Sequence, residues 1–308
     1  MSSIQTNQIH GPIAALLTPR TASGLIDRDA LEANARFVLG CGARGLCLSG
    51  ATGEYSIATE QERVETVEWI RAIVPADRLL LAGVGAPDAQ SALRLAGRFH
   101  AAGADVLLVP TPHFFPYPPS EIEEFYRVFA AATPMPVLIY NLPSFTSGVP
   151  LSVVLQLIES VPNIVGVKDS SGETAILQAL TARPELGARR IIGNDNAFRA
   201  VLSGMLVDGC ISGVAGVLPE LTIACLQEAP EAALALLEEL IPRLGPFPTP
   251  WGLKLMAEAR GFFPARHAMP VSQLMQSEIG QFNNWFSNWW TAALSALHSL
   301  PQTTSASR

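Results

Sequence analysis

Lys168 is the residue of this chain whose type and position are best suited to chemistry. It is one of only two lysines among 308 residues, and it follows the apolar run 164–167, which has the pattern of a buried parallel strand. An ammonium group loses hydration on burial, so this position favours the neutral amine. A neutral lysine amine attacks carbonyls to form a Schiff base, which the permanently protonated arginines cannot do. The alternative is an ordinary strand-end lysine that pairs with Asp169 or extends into solvent.

Tyr140 is the second candidate, because it ends the apolar run 137–140 just as Lys168 ends the next one. Adjacent parallel strands would place the phenol beside the amine. A phenol there could shuttle protons during imine formation and carbon–carbon cleavage. The alternative is a core-edge tyrosine whose hydroxyl lies at the rim.

Loops after other predicted strands carry groups that could bind a substrate. Gly50 and Gly53 flank Ala51 and Thr52, so backbone N–H groups and the Thr52 hydroxyl could cradle a small carboxylate. The segments 193–196 and 211–213 offer small polar groups for substrate hydroxyls, although turn and capping roles explain them almost as well. The proline- and ring-rich segment 110–119 is either a specificity wall or a subunit contact.

The elements that position these loops are eight short apolar strands alternating with amphipathic helices. This alternation and the chain length predict an α/β fold, a (β/α)8 TIM barrel over 11–228. A helical extension over 229–300 and flexible termini at 1–10 and 301–308 complete the prediction. The predicted strands are 13–17, 45–48, 79–82, 106–109, 137–140, 164–167, 190–192 and 209–211. The predicted helices are 29–39, 59–73, 88–101, 120–131, 152–159, 174–180, 197–203, 219–228, 231–244, 251–260 and 277–297.

Local signals refine the helices. Capping boxes are predicted at Thr59 and at Ser120, and Asp88 is predicted as a helix N-cap. Aromatic residues 282–290 recur at helical spacing and are expected to pack on the barrel or on a neighbouring subunit. Lys254, on a predicted helix beyond the barrel, is expected to have a structural role.

Composition excludes several classes of function. A net charge of −7 without a basic cluster argues against binding of nucleic acid or acidic membranes, and no apolar run reaches the roughly 20 residues of a membrane span. Four cysteines without a C-x-x-C pair, and a polar N-terminus without a signal core, favour a cytoplasmic protein with reduced thiols. The histidines lack metal-ligand spacing, so no metal site is expected.

Three motifs together, 50–54, 140–144 and 165–169, resemble the dihydrodipicolinate synthase / N-acetylneuraminate lyase family of class I pyruvate-dependent aldolases. The resemblance covers roughly residues 11–270. It implies a cofactor-free homotetrameric barrel whose lysine forms a Schiff base with a 2-keto acid. Lys168 would be that nucleophile and Tyr140 the general acid and base. Ala51 and Thr52 would bind the substrate carboxylate, and Ile211 would line the site.

The departures from the family pattern bear on the substrate. Ala51 stands where the family often has a proton-relaying threonine, and Phe114 (or His113 if the loop shifts) replaces a tyrosine supplied by a neighbouring subunit. Phe145 replaces the arginine that grips the aldehyde carboxylate in dihydrodipicolinate synthases, a change worth about 1.5–3 kcal/mol of binding. The chain therefore looks closer to the 2-keto-3-deoxy-sugar-acid and 4-hydroxy-2-oxoglutarate aldolase branches, with Ser170, Asn194 and Asp195 on substrate hydroxyls.

The leading functional hypothesis is a Schiff-base lyase. It cleaves a 2-keto-3-deoxy or 4-hydroxy-2-keto acid to pyruvate and an aldehyde, or forms the acid from them. One alternative keeps the imine but eliminates water from a 2-keto-3-deoxy sugar acid, and another is 4-hydroxy-tetrahydrodipicolinate synthesis. From other classes, the alternatives are a non-catalytic 2-keto-acid-binding protein and a metal-dependent barrel.

Overall fold

The computed structural model describes residues 6–227 and 230–299. Residues 1–5 and 301–308, which belong to the predicted flexible termini, and the predicted boundary at 228–229 lie outside the described residues. Within the predicted N-terminal segment, Thr6–Gln8 form a short 3-10 helix, and Ile9 is fully buried against the barrel strands.

Eight parallel strands close into a barrel in chain order, as predicted, so the molecule is a TIM barrel. Each strand pairs with its neighbours around the ring, and the last strand pairs with the first to close it. The strands are β1 (Gly11–Ala15), β2 (Gly45–Leu48), β3 (Leu79–Gly83), β4 (Val106–Pro110), β5 (Val137–Asn141), β6 (Ile164–Asp169), β7 (Arg189–Ile192) and β8 (Gly209–Ser212). β1 begins two residues before its predicted start, because Gly11 and Pro12, which resemble a turn in sequence, pair with β8.

Helices follow each strand, and three more form the predicted C-terminal extension. The barrel helices are α1 (Arg28–Gly40), α2 (Glu60–Arg71), α3 (Ala89–Ala101), α4 (Pro119–Ala131), α5 (Leu151–Ser160), α6 (Ala175–Thr181), α7 (Phe198–Ser203) and α8 (Pro219–Cys225). The extension contains α9 (Glu231–Leu244), α10 (Trp251–Ala259) and α11 (Gln273–His298).

The caps explain where helices begin. Thr59 and Glu62 form the predicted capping box of α2, and Asp88 caps α3 by accepting from the Ser91 N–H at 2.8 Å. The capping box predicted at Ser120 is wrong: α4 begins at Pro119, whose fixed φ suits the first helical position, so Ser120 lies inside the helix.

Apolar side chains form two clusters, one inside the barrel and one between the strands and the helices. The inner cluster includes Ile13, Leu81, Leu108 and Ile211, all at or below 1% exposure. The outer cluster extends to the C-terminal helices, where Phe282, Phe286 and Trp289 of α11 are buried. The aromatic residues of α11 therefore pack against the rest of this chain, in agreement with one of the two predicted roles.

Candidate active site

A cavity of about 360 Å³ lies at the end of the barrel where the parallel strands terminate. TIM-barrel sites form at this face, because the loops after the strands converge there. Nine of the ten predicted site residues line it: Ala51, Thr52, Tyr140, Phe145, Lys168, Ser170, Asn194, Asp195 and Ile211. Phe114 does not.

Lys168 and Tyr140 are neighbours in the register of β5 and β6. Both side chains are buried, at 5% and 3% exposure, and the Lys168 Nζ atom lies 4.1 Å from the centroid of the Tyr140 ring. The amine therefore lies over the face of the phenol ring, within the distance range of a cation–π contact. The predicted juxtaposition of phenol and amine is therefore present.

Asp169 does not serve as the partner of Lys168, because successive strand residues point to opposite faces. Its carboxylate is fully buried and accepts hydrogen bonds from the Asn141 side chain at 2.9 Å and the Ser171 N–H at 3.0 Å. No carboxylate among the described residues lies within ion-pair distance of the Lys168 amine. The amine is thus available to a ligand in the cavity.

The loop after β2 is a tight turn that places Ala51 and Thr52 in the cavity wall. The Glu54 N–H donates to the Ala51 carbonyl at 3.0 Å, and Glu54 adopts the left-handed φ of +54°. The Thr18 hydroxyl donates to the Gly53 carbonyl at 2.9 Å and holds the turn from the side of β1. These contacts hold in place the backbone segment that is predicted from the sequence to bind a substrate carboxylate.

Ser170 and Asp195 bring uncommitted polar atoms into the cavity wall. The Ser170 Oγ and Asp195 Oδ1 atoms are shielded from solvent and have no partner among the described residues. Asp195 also accepts hydrogen bonds from the Ser212 hydroxyl and the Val214 N–H. Burial raises the pKa of Asp195 to about 6, although the Ser212 hydrogen bond and the charge of Lys168 lower it. A ligand hydroxyl could satisfy both free atoms.

Gly193 allows β6 and β7 to bring these groups together. A Cβ atom there would lie 2.1 Å from Ser170 Oγ and 2.4 Å from Lys168 Cε. Only glycine leaves room for both side chains. Asn194, next in the chain, accepts from the Asn196 N–H at 3.0 Å, so this predicted ligand-binding residue also caps the turn.

Aromatic residues mark the mouth of the cavity. Phe145 lines it with 53% exposure, whereas Phe114 is 84% exposed and packs edge-on against Phe115. An isolated bridge between His113 and Thr146 ties the two loops together. His113 packs on Tyr55, and it does not line the cavity either.

The C-terminal extension forms one wall of the cavity, which the sequence does not predict. Ile241 and Leu244 of α9, the segment 247–250, and Gly252 and Leu253 of α10 all line it. The one available signal is the Pro-rich segment 246–250, which indicates a rigid loop but not its location.

Arg63 of α2 is a second unpredicted residue that shapes the site. Its guanidinium is buried and donates to Ser49 Oγ at 2.5 Å, the Gly85 carbonyl at 2.8 Å and the Gly83 carbonyl at 2.7 Å. Burial lowers the pKa of Arg63 to about 10. Arg63 joins the loops after β2 and β3 and thereby supports the turn that carries Ala51.

In the ranges 6–227 and 230–299, no group of three or more His, Cys, Asp or Glu residues is arranged to hold a metal ion. No helix in those ranges has the length and apolar character needed to cross a bilayer.

The chain matches the model of the dihydrodipicolinate synthetase family over residues 8–273. Among curated proteins, it is 32% identical over 216 residues to an uncharacterized DapA-like lyase of Halobacterium salinarum, which covers 70% of each chain. It is 29% identical over 270 residues to the 4-hydroxy-tetrahydrodipicolinate synthase of Methanothermobacter thermautotrophicus, over 82% of this chain and 95% of that protein.

Solved structures share the fold at lower identity. The 4-hydroxy-tetrahydrodipicolinate synthase of Methylacidiphilum fumariolicum superposes with a TM-score of 0.84 at 22% identity, over 94% of this chain and 98% of that one. A prophage protein of the dihydrodipicolinic acid synthase family from E. coli K12, solved in complex with pyruvate, has a TM-score of 0.81 at 24% identity, over 92% and 99%.

Proposed function

Because this chain belongs to the dihydrodipicolinate synthetase family, we propose that it is a Schiff-base lyase. In the proposed reaction it cleaves a 2-keto-3-deoxy or 4-hydroxy-2-keto acid to pyruvate and an aldehyde, or forms the acid from these two compounds. The observation that carries the proposal is the buried Lys168 amine, 4.1 Å from the centre of the Tyr140 ring and without a carboxylate partner in the described chain. The relatives named as lyases or synthases support it.

The proposed chemistry begins with attack of the Lys168 amine on the keto carbon. Loss of water gives a protonated imine, which accepts the electron pair of the C3–C4 bond as that bond breaks. Tyr140, which has given its phenol proton to the departing water, takes the proton of the C4 hydroxyl, and the aldehyde leaves. Protonation of the enamine at C3 and hydrolysis then release pyruvate and restore the amine. The Ala51–Thr52 turn holds the substrate carboxylate throughout.

The cavity lining favours an uncharged polyhydroxy aldehyde over one that carries a second carboxylate. Lys168 is the one cationic side chain of the lining, and the reaction engages it covalently. Phe145 cannot pair with a carboxylate, whereas Ser170 Oγ and Asp195 Oδ1 offer hydrogen bonds to hydroxyls. We therefore place 4-hydroxy-tetrahydrodipicolinate synthesis behind the sugar-acid reactions.

A second candidate is dehydration of a 2-keto-3-deoxy sugar acid through the same imine. Asp195 favours it, because a shielded carboxyl group whose pKa is raised to about 6 could protonate a departing hydroxyl. Product analysis separates the two reactions: cleavage gives pyruvate and an aldehyde, and dehydration gives a keto acid lighter by one water.

The assembly and the location are proposed with the function. A homotetramer would cover the exposed Phe114 and Phe115 rings and could bring one subunit's Phe114 to the cavity of its neighbour. Phe114 has a left-handed φ of +85°, a strained conformation that often marks a functional contact. We propose a cytoplasmic enzyme that needs no cofactor.

The decisive experiment is borohydride trapping with pyruvate, read by peptide mass spectrometry. Since the chain has two lysines, the expected reduced adduct has only two candidate side chains. It should appear on the Lys168 peptide and be absent in Lys168→Ala. Tyr140→Phe should still form the adduct but cleave 4-hydroxy-2-keto acids at least about 100-fold more slowly, the usual contribution of a general base.

Two results would contradict the proposal. An adduct confined to the Lys254 peptide would assign the nucleophile to the other lysine. No adduct with pyruvate or with a panel of longer 2-keto acids, on folded protein, would remove the Schiff-base mechanism. Ligand binding without turnover would then favour the non-catalytic 2-keto-acid-binding protein.

A further inference from the structure

Glu54 and Lys254 form a buried ion pair between the turn after β2 and the C-terminal extension. The Lys254 Nζ and Glu54 Oε2 atoms are 2.6 Å apart, and the two side chains are 5% and 10% exposed. Lys254 also donates to the Arg266 carbonyl at 2.6 Å. The ammonium therefore connects α10 to the turn after β2, which is distant in sequence, and to the segment that follows α10.

Glu54 belongs to the turn that presents Ala51 and Thr52 to the cavity. Its N–H closes the turn on the Ala51 carbonyl, and its own φ of +54° lies in a region that side-chain-bearing residues seldom adopt. A residue held in this conformation needs contacts that over-determine it. Lys254 supplies such a contact from outside the barrel.

The turn and α10 meet at a second point beside the ion pair. A Cβ atom at Gly213 would lie 2.7 Å from Leu253 Cδ1 and 3.0 Å from Thr52 Oγ1, so these two side chains converge over β8. Leu253 precedes Lys254 in α10, and it lines the cavity with Thr52. Hence a shift of α10 would move Leu253 and, through the ion pair, the turn that carries Thr52.

Stability alone gives little reason for this pair. Removing two charges from water costs about as much as their attraction returns, and apolar replacements of buried ion pairs are often neutral. A charged pair does fix geometry, because breaking it leaves an unpaired buried charge. The pair therefore selects one position of the turn relative to α10.

We propose that Lys254 is a positioning residue that acts through Glu54: it holds the Ala51–Thr52 turn in the geometry that binds the 2-keto-acid carboxylate. The inference rests on the proposed function for the identity of the ligand. It assigns the C-terminal extension a part in substrate binding as well as in packing.

The test compares three variants by the pyruvate concentration that gives half-maximal borohydride adduct on Lys168. Lys254→Met removes the link but leaves the Glu54 charge unpaired. The double variant Glu54→Gln with Lys254→Met removes both charges, so it guards against a folding defect. Arg260→Met is the matched control, because Arg260 joins the end of α10 to Glu220 of α8 at 2.6 Å, and neither residue lines the cavity.

Both Lys254 variants should raise the half-saturating pyruvate concentration about tenfold, because the hydrogen bonds from the Ala51–Thr52 turn to the pyruvate carboxylate would be misplaced. The maximal yield of adduct should stay the same. Arg260→Met should lower the unfolding temperature and leave that concentration unchanged. A double variant that is stable and saturates at the wild-type concentration would overturn the inference.

Amide hydrogen exchange in the peptide around residues 50–57 gives a readout that does not depend on pyruvate. The exchange should accelerate in both Lys254 variants and not in Arg260→Met. If the wild-type protein forms no adduct, the proposed function fails, and this comparison still decides the inference. Unchanged exchange in the Lys254 variants would show that the pair does not hold the turn.

Discussion

At the scale of single residues, the cavity contains one cation, Lys168, and one acid, Asp195, among otherwise neutral groups. In the proposed reaction the Lys168 nitrogen becomes part of an imine beside the substrate's own carboxylate, so it is not free to pair with a second anionic group. The specificity of the site then depends on hydrogen bonds from hydroxyls and on the aromatic side chain at the mouth.

Phe145→Arg should widen the range of accepted aldehydes. A guanidinium at this half-exposed position would offer a bidentate partner to a carboxylate. Aldehydes that carry a carboxylate should then bind more tightly, by about 1.5–3 kcal/mol of binding free energy. The measurement is a lower KM for these aldehydes in the condensation direction. Phe145→Leu, which keeps the position apolar, is the control. Equal gains for neutral and anionic aldehydes would contradict the charge argument.

Asp195→Asn should change the pH dependence of stability. The pKa of Asp195 is raised to about 6 by burial, so its contribution to folding is most favourable below its unfolded value near 4 and is lost as the pH rises through 6. The asparagine variant has no such loss. Its unfolding free energy relative to wild type should therefore increase between pH 4 and 7 by on the order of 1–3 kcal/mol. Denaturant unfolding at both pH values measures this, and a constant difference would contradict it.

At the scale of elements, the pairing register of β5 and β6 places Tyr140 beside Lys168, and that register is what the sequence could predict. Continuous apolar runs identify strands buried on both faces, and the residues at their ends must lie at one face of a closed barrel. The wall formed by α9 and α10 could not be predicted in the same way. Its location depends on how the extension folds back, and the side chains of Leu244 and Leu253 look like any helix core in sequence.

Long-range polar pairs escaped prediction for a related reason. Arg63 and Lys254 carry no local signal of burial, since their partners are backbone carbonyls, one hydroxyl and one carboxylate from other segments of the chain. Charged residues are seldom fully buried, so helix patterns assign them to solvent by default. Only the assembled barrel reveals that both support the turn after β2.

Gly193→Ala tests the close approach of β6 and β7. The added methyl would collide with Ser170 Oγ and Lys168 Cε, so the amine must move and the yield of pyruvate adduct should fall at least about tenfold, the factor for roughly 1.4 kcal/mol. Gly97→Ala in α3 is the matched control, because its Cβ meets no atom within 4 Å. That variant should keep the adduct and gain about 0.5–1 kcal/mol of stability. Full trapping by Gly193→Ala would show that the packing there is adaptable.

At the scale of the whole molecule, the single chain leaves apolar surface beside its catalytic end. Phe114 and Phe115 are 84% and 62% exposed, and the loop that carries them is anchored by hydrogen bonds from Thr111 and Tyr117 to Ser147. A rigid loop that exposes two phenylalanines is suited to burial against a second copy.

Replacing both Phe114 and Phe115 with serine should therefore weaken self-association. Sedimentation velocity should show the expected tetramer shift toward smaller species, with a lower rate of cleavage if Phe114 completes a neighbouring cavity. Leu25→Ser, which changes a side chain that is 67% exposed on another loop, is the control. A wild-type protein that sediments as a monomer would remove the assembly from the proposal.

The burial of both lysines has a practical consequence. Lys168 and Lys254 are 5% and 4% exposed, and since no other lysine exists, the outer surface draws all its side-chain cations from arginine and histidine. Succinimidyl esters would therefore find no lysine on the exterior to acylate. A small carbonyl reagent shaped for the cavity could instead modify one lysine per chain, which makes the protein suited to site-selective labelling without mutagenesis.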